Sequence, residues 1–454
     1  DAIAARGFDL VFLMGVWSRS RVGRQIAIAD PGLREEYSRV LPGWTAADVA
    51  GSPYCVRAYE PGEEVGGWEG LETARAALRA RGLGLVLDFV PNHLAFDHDL
   101  VRSDPELFVL GTRDDSSRRP GEFREIETAD GPRYLACGRD PHFPAWTDVA
   151  QLNVFNPRTR SVLIEQLARL AACCDGVRAD MAMLVTNDVF ERTWRGVLGG
   201  AWPRPPGEFW VDAIRHVPNL LYLAEVYWDL EWSLQQQGFH YTYDKRLLDR
   251  LEAAPTREVR GHLLADASFA DRLARFLENH DEPRSAAVLG DAVPAAATML
   301  ATLPGLRFFF DGQLEGRRVR TPVQLRRWPD EPPDRAISVL YDRLLATARA
   351  PLFHAGAWAL RDVQPAGDGT FDDLIAYRWR DHDSLAVVVV NLGASVAQGH
   401  VQIAVDLPPG TSFDFADRLA DQTWRWTRAD LESRGLYVRL ESGRAHLFLV
   451  TAGP

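Results

Sequence analysis

The feature that most constrains this chain is an alternation. Short apolar, β-branched runs are separated by stretches with helical spacing across the first three quarters of the sequence. Strands that alternate with helices must be parallel, because each helix carries the chain back across the sheet before the next strand begins. The runs are Phe8 to Met14, Leu83 to Val90, Gly176 to Met181, Leu221 to Tyr227, Phe239 to Tyr243, Arg275 to Asn279 and Leu306 to Phe310. Helices are expected between them, for example over Leu71 to Arg81 and Pro157 to Ala172. Seven strands are one short of a closed (β/α)8 barrel. The missing strand is expected to precede Asp1, since Asp1 to Gly7 reads as the tail of a helix feeding the Phe8 run. A barrel with a gap exposes unpaired strand edges, which would lower the stability of the chain as given.

The alternation is interrupted once and then ends. Residues 95–156, rich in Arg, Asp, Gly and Pro with little periodicity, read as an excursion domain over one mouth of the barrel. The barrel therefore comprises residues 1–94 and 157–351. From about Leu352 the runs become short and alternating: Leu374 to Arg380, Leu385 to Asn391, His400 to Val405, Tyr437 to Leu440 and His446 to Val450. An antiparallel β-sandwich over residues 352–454 is the expectation. The helix over Leu230 to Gln237, with its glutamine run, is expected to present a solvated face.

Composition narrows the function classes. At 454 residues the chain has room for about three domains. Its longest apolar stretch, Val293 to Phe310, is broken by Pro294, Pro304 and Arg307, so no membrane span is expected. The formal charge of −12 is scattered, and a diffusely acidic surface repels phosphate backbones, which argues against nucleic acid as a partner. Of 51 basic residues only Lys245 is lysine, a bias too general to reflect selection at individual sites. Cys55, Cys137, Cys173 and Cys174 lack the spacing of a zinc or redox motif and read as small buried residues. Nothing demands an oxidising compartment, and a cytoplasmic location is expected. Oligomeric state is not encoded in any feature of the sequence.

Four of the strands close on polar clusters. The first supplies Asp88, Asn92 and His93, and the second Arg178 and Asp180, which share a face at a spacing of two. The third supplies Glu225 and the fourth Asn279 and Asp281, again expected on one face. Residues at the C-terminal ends of barrel strands build the active site of such folds. Convergent charge is costly unless it is paired or used. Arg178 beside Asp180 would hold that carboxylate ionised, as a nucleophile requires. Glu225, in a run of Leu, Ala and Val, would be desolvated and kept protonated, as a general acid requires. Two carboxyls tuned in opposite directions across a cleft are the machinery of glycoside hydrolysis.

These clusters resemble, in order, the signature regions of the α-amylase family, glycoside hydrolase family 13. The matching segments run from Asp88 to His93, from Gly176 to Asp180, around Glu225, and from Asn279 to Asp281. Gln151 to Asn153 resembles a fifth region, and Tyr54 with Tyr59 the aromatic pair after the second barrel strand. The resemblance implies a retaining α-glycoside hydrolase acting on α-glucans, maltooligosaccharides or short α-glucosides. It implies Asp180 as nucleophile, Glu225 as acid and base, and Asp281 as the third carboxylate. His93 and His280 would bond sugar hydroxyls, Tyr54 would stack on a sugar, and Arg178 would orient Asp180. Asp88, Asn92 and Asn279 would support the site. Trp228, which follows Glu225, is expected to line a subsite, and Trp146, Phe155 and Tyr227 are further candidates for stacking on sugars, with core packing the default for any one tryptophan. Retention requires Asp180 and Glu225 roughly 5–5.5 Å apart.

Two departures from the family pattern bear on substrate and ions. Met183 stands where many amylases carry Lys or His toward the acceptor sugars, which counts against a long-chain, endo-acting enzyme. Gln151 stands where calcium-binding members carry Asp, so a structural calcium is not expected and no other cofactor is implied. A transglycosylase of glucanotransferase, trehalose-forming or branching type would use the same carboxylates. A non-catalytic carbohydrate- or partner-binding barrel would not need all three. A metal held by His93, His280 and Asp281 lacks the tight histidine spacing of known sites.

Overall fold

A computed structural model describes residues 1–198, 202–253, 255–382 and 384–453. The chain divides into two compact units, the first comprising Asp1, Phe8–Tyr243 and Thr321–Pro329. The second comprises Ala2–Gly7, Asp244–Arg320 and the chain from Asp330 onward.

The first unit is built on five parallel strands. In spatial order they are Leu10–Leu13, Gly84–Phe89, Gly176–Ala179, Leu221–Ala224 and Tyr241–Tyr243. From Leu85 to Phe89 every residue is buried, as a parallel strand covered on both faces requires. The helix Pro157–Cys173 shows why the intervening segments are helical. Pro157 occupies the first turn, where its missing N–H costs nothing, and Asn156 caps it by accepting from the Arg158 N–H at 2.9 Å. Thr159, Leu163, Leu167 and Leu170 recur at helical spacing and are buried. Each such leucine contributes about 1.5–3 kcal/mol through burial. Asp175 then fixes the start of the next strand, accepting from Arg75 at 2.8 Å and from the Leu85 N–H at 2.9 Å. Gly176 must be glycine, because a Cβ there would lie 2.9 Å from the Leu221 carbonyl oxygen of the neighbouring strand.

Between the strand His93–Ala95 and Gln151 the chain leaves this sheet to form a small antiparallel one. That sheet orders His93–Ala95, Trp146–Gln151, Gly131–Gly138 and Leu110–Gly111, with Phe123–Thr128 also paired to Gly131–Gly138.

In the second unit, Leu273–Arg275 and Leu306–Arg307 form a parallel pair. Its C-terminal part is a β-sandwich. A six-stranded antiparallel sheet runs Ala357–Arg361, Leu374–Asp381, Ser384–Asn391, Ala445–Ala452, Ser412–Asp417, Gln422–Thr427. A three-stranded sheet comprises Val363–Pro365, Ala397–Val401 and Leu436–Leu440. Leu374, Val387, Phe413, Phe415, Val438 and Phe448 meet in the core between them.

Several expectations are corrected. The strand expected from Arg275 to Asn279 is instead Leu273–Arg275, so Asn279 and Asp281 lie beyond its end and share no strand face. The Asn279 side chain turns the chain there, accepting from the N–H groups of Asp281 and Glu282 at 2.9 and 3.0 Å. The glutamine-rich helix is Glu231–Gln236, and its Gln235 is buried rather than solvated. Gln235 donates to the Thr242 hydroxyl at 3.0 Å, which gives its amide nitrogen a partner inside the protein. The run expected from His400 to Val405 pairs instead as Ala397–Val401.

Candidate active site

The site in the first unit is organised by one guanidinium. Parallel register places Arg178 between Asp88 on one neighbouring strand and Leu223 on the other. Asp180 and Glu225 follow just past the ends of their strands, where the Asp180 N–H donates to the Phe89 carbonyl at 2.8 Å and the Glu225 N–H to the Ala179 carbonyl at 3.1 Å. Arg178 is fully buried. Its Nη1 reaches Asp88 Oδ1 at 3.0 Å and Asp180 Oδ1 at 2.8 Å, and its Nη2 reaches Glu225 Oε2 at 2.7 Å. Two aromatic rings flank it: Tyr54 at 5.1 Å, and Tyr243 at 5.9 Å with its hydroxyl 3.4 Å from Nε. Because the guanidinium is a rigid fork, the contacted oxygens of Asp180 and Glu225 are at most about 8 Å apart.

The surroundings of Glu225 differ from the apolar setting expected for it. Besides Arg178, its Oε2 accepts from the Met181 N–H at 2.7 Å and its Oε1 from the Tyr227 hydroxyl at 2.9 Å. Met181 can make that contact because it takes a left-handed turn, φ 42°, immediately after Asp180. Asp180 is likewise not simply held ionised by Arg178. Burial pushes its carboxyl well above the usual range, Arg178 opposes this, and Glu225 and Asp88 add to the rise. Three carboxyls converge on one positive charge in a desolvated pocket, and for Asp180 that setting disfavours the charged form. Such an arrangement can supply both a carboxylate nucleophile and a proton donor.

Other predicted residues lie around this cluster. Trp17 Nε1 donates to the Asp88 carbonyl at 2.7 Å, and the Tyr59 hydroxyl accepts from the Val90 N–H at 2.8 Å. His93 is buried with its ring 5.4 Å from that of Trp146, and burial pulls its imidazole down to about 4. Met183 is fully buried, and Phe155 is buried against Phe190. Asn92 and Gln151 are bonded to each other. Gln151 Nε2 donates to both the Asn92 Oδ1 and its carbonyl oxygen at 2.9 Å, while Asn92 Nδ2 donates to Gln151 Oε1 at 3.2 Å. With amide nitrogens turned onto those oxygens, the pair does not fit a calcium shell, which needs six to eight oxygens. Among the described residues no group of three or more His, Cys, Asp or Glu is placed to hold a metal ion.

Asp281, His280 and Asn279 belong to the second unit. There His280 Nε2 lies 2.9 Å from Asp281 Oδ2, and the Asp281 side chain is 52% exposed.

Two neighbours of the predicted residues carried no signal in the sequence motifs. Tyr243, at the end of its strand, is one. The turn after the buried Asp140 is the other. Asp140 Oδ1 accepts from the His142 and Phe143 N–H groups at 2.6 and 2.9 Å, which presents both side chains outward. The His142 ring stands 4.8 Å from that of Trp228, and Phe143 is 67% exposed. Trp228 and Asp229 are both left-handed, φ 66° and 61°, a strained pair of non-glycine residues just beyond Glu225.

No family model matches the chain. A curated relative, the α-amylase MalA of Haloarcula japonica, is 28% identical over 343 residues, 74% of this chain. The match spans only 46% of that relative, so the chain corresponds to about half its length. A noncanonic maltogenic α-amylase from Thermotoga neapolitana has a similar fold, with a TM-score of 0.70 at 18% identity, covering 100% of this chain and 92% of that one. An α-amylase from Geobacillus thermoleovorans, solved with acarbose, gives 0.68 at 18% identity, covering 100% and 91%. No helix among the described residues is long and apolar enough to cross a membrane. In its ordered motifs and in its barrel-and-sandwich fold, the chain resembles the α-amylase family.

Proposed function

We propose that this chain is the catalytic portion of a retaining α-glycoside hydrolase acting on α-glucans or maltooligosaccharides. The observation that carries the reading is the sharing of Arg178 by Asp88, Asp180 and Glu225. Asp180 attacks the anomeric carbon while Glu225 protonates the departing oxygen, giving a glycosyl ester on Asp180. Water, deprotonated by Glu225, then releases the sugar with its configuration retained. Arg178 stabilises the charge returned to Asp180 when that ester breaks. Asp281 grips sugar hydroxyls on the resemblance of its motif, and His93, held neutral by burial, bonds a hydroxyl as a donor or acceptor. Tyr54, whose ring lies against Arg178, stacks on a sugar on the resemblance of its motif. A cytoplasmic site of action is part of the same proposal.

The test is incubation with maltooligosaccharides while chain lengths and the anomer first released are followed by proton NMR. Shorter products released as the α-anomer are expected. Release of the β-anomer would overturn the retaining mechanism, and products longer than the donor would replace hydrolysis with transfer.

A further inference from the structure

Fifty of the 51 basic residues are arginine, and the single lysine is Lys245. The structure gives that one ammonium a specific setting. Lys245 opens the helix Lys245–Ala253 and is mostly buried. Its Nζ bridges two carboxylates, Asp249 one turn along at 2.5 Å and Glu282 at 3.3 Å. A compact ammonium with three rotatable donors can serve two converging carboxylates where a longer planar fork would push one of them aside.

Glu282 is the residue after Asp281. The turn that carries both is held from three directions within the second unit. Asn279 accepts from both backbone N–H groups at 2.9 and 3.0 Å, and Arg320 donates to the Asp281 carbonyl at 2.9 Å. Lys245 grips the Glu282 carboxylate, which is only 14% exposed. Burial pushes the Glu282 carboxyl above its ordinary range, and Lys245 opposes that rise.

We propose that Lys245 is a positioning residue, fixing Glu282 so that the turn aims the Asp281 carboxylate. The proposal rests on the reading of Asp281 as the third carboxylate. Its test compares Lys245→Arg, Lys245→Met, Glu282→Gln and the Met/Gln double variant. A misaimed carboxylate costs about tenfold to a hundredfold in kcat. Lys245→Arg is expected to lose that much on a maltooligosaccharide, with KM changed by less than about threefold. Glu282→Gln should fall by a similar factor, and the double variant no further than either. A Lys245→Arg enzyme with native kcat, or additive losses in the double variant, would overturn the proposal. Should Lys245→Arg fail to fold, Glu282→Gln carries the same comparison. If the unmodified chain turns over no α-glucan, the functional reading fails instead. Crystal structures of the native and Glu282→Gln proteins then decide the positioning role, since a turn that keeps Asp281 in place would refute it.

Discussion

Glu225 Oε2 lies 2.7 Å from Arg178 Nη2, so the expected proton donor and the expected nucleophile are held by one side chain. The contact defines the spacing of the two carboxyls more firmly than either strand end could. It also makes the site dependent on a single buried charge.

Replacing Arg178 by Met should therefore both unfold and inactivate. Leaving buried carboxylates without their counter-ion costs about 3–5 kcal/mol. The stranded carboxyls would have folded pKa values raised above their unfolded ones. Their stability is thus retained at low pH and lost as pH rises. Thermal melts should show the deficit smallest below about pH 4 and growing above it. A deficit independent of pH would contradict the charge argument.

Asp180→Asn preserves volume and removes the charge that the proposed attack requires. Turnover should fall by four orders of magnitude or so, on the scale seen when members of a catalytic unit are removed, while the melting temperature holds or rises. Near-native kcat in this variant would refute the nucleophile role.

His93, drawn down to about 4, binds its proton less readily folded than unfolded. Stability from its burial is complete above the unfolded value of about 6.5 and is lost as pH falls toward 4. The loss amounts to about 3 kcal/mol. Denaturant titrations at pH 7 and pH 4 should show a smaller acid loss in His93→Gln than in the native protein.

Phe143 is 67% exposed on the turn beside Trp228, so Phe143→Ala should leave stability within about 0.5 kcal/mol. If the turn borders an acceptor subsite, KM for longer maltooligosaccharides rises and that for the shortest does not. Equal KM values across chain lengths would place the turn outside the binding cleft.

Chelation provides a separate check on the Asn92–Gln151 pair. Each amide already satisfies the other, so EDTA should leave the melting temperature unchanged. A fall of many degrees would mean that a cation displaces this pairing.

Sequence by itself determined the parallel strands, the sandwich and the charged residues at the strand ends, because strand period and apolar runs are local properties. Arg178 and Asp180, two apart, belong on one face by their spacing alone. Glu225, 47 positions from Arg178, could not be joined to it in this way, since its run of apolar neighbours suggested isolation. Strand register brings the two together, and the left-handed Met181 turns its N–H onto the same carboxylate. The strand before Asn279 was misplaced for a related reason. Its apolar residues continue past Arg275, but the strand ends there, and a few residues on the Asn279 side-chain amide turns the chain by capturing two backbone N–H groups. Nor did any pattern foretell His142 against Trp228, 86 positions apart, or Lys245 against Glu282. Local periodicity fixes which residues face inward. Which charges share a partner depends on distances between segments remote in the chain, and those exist only once the chain has folded.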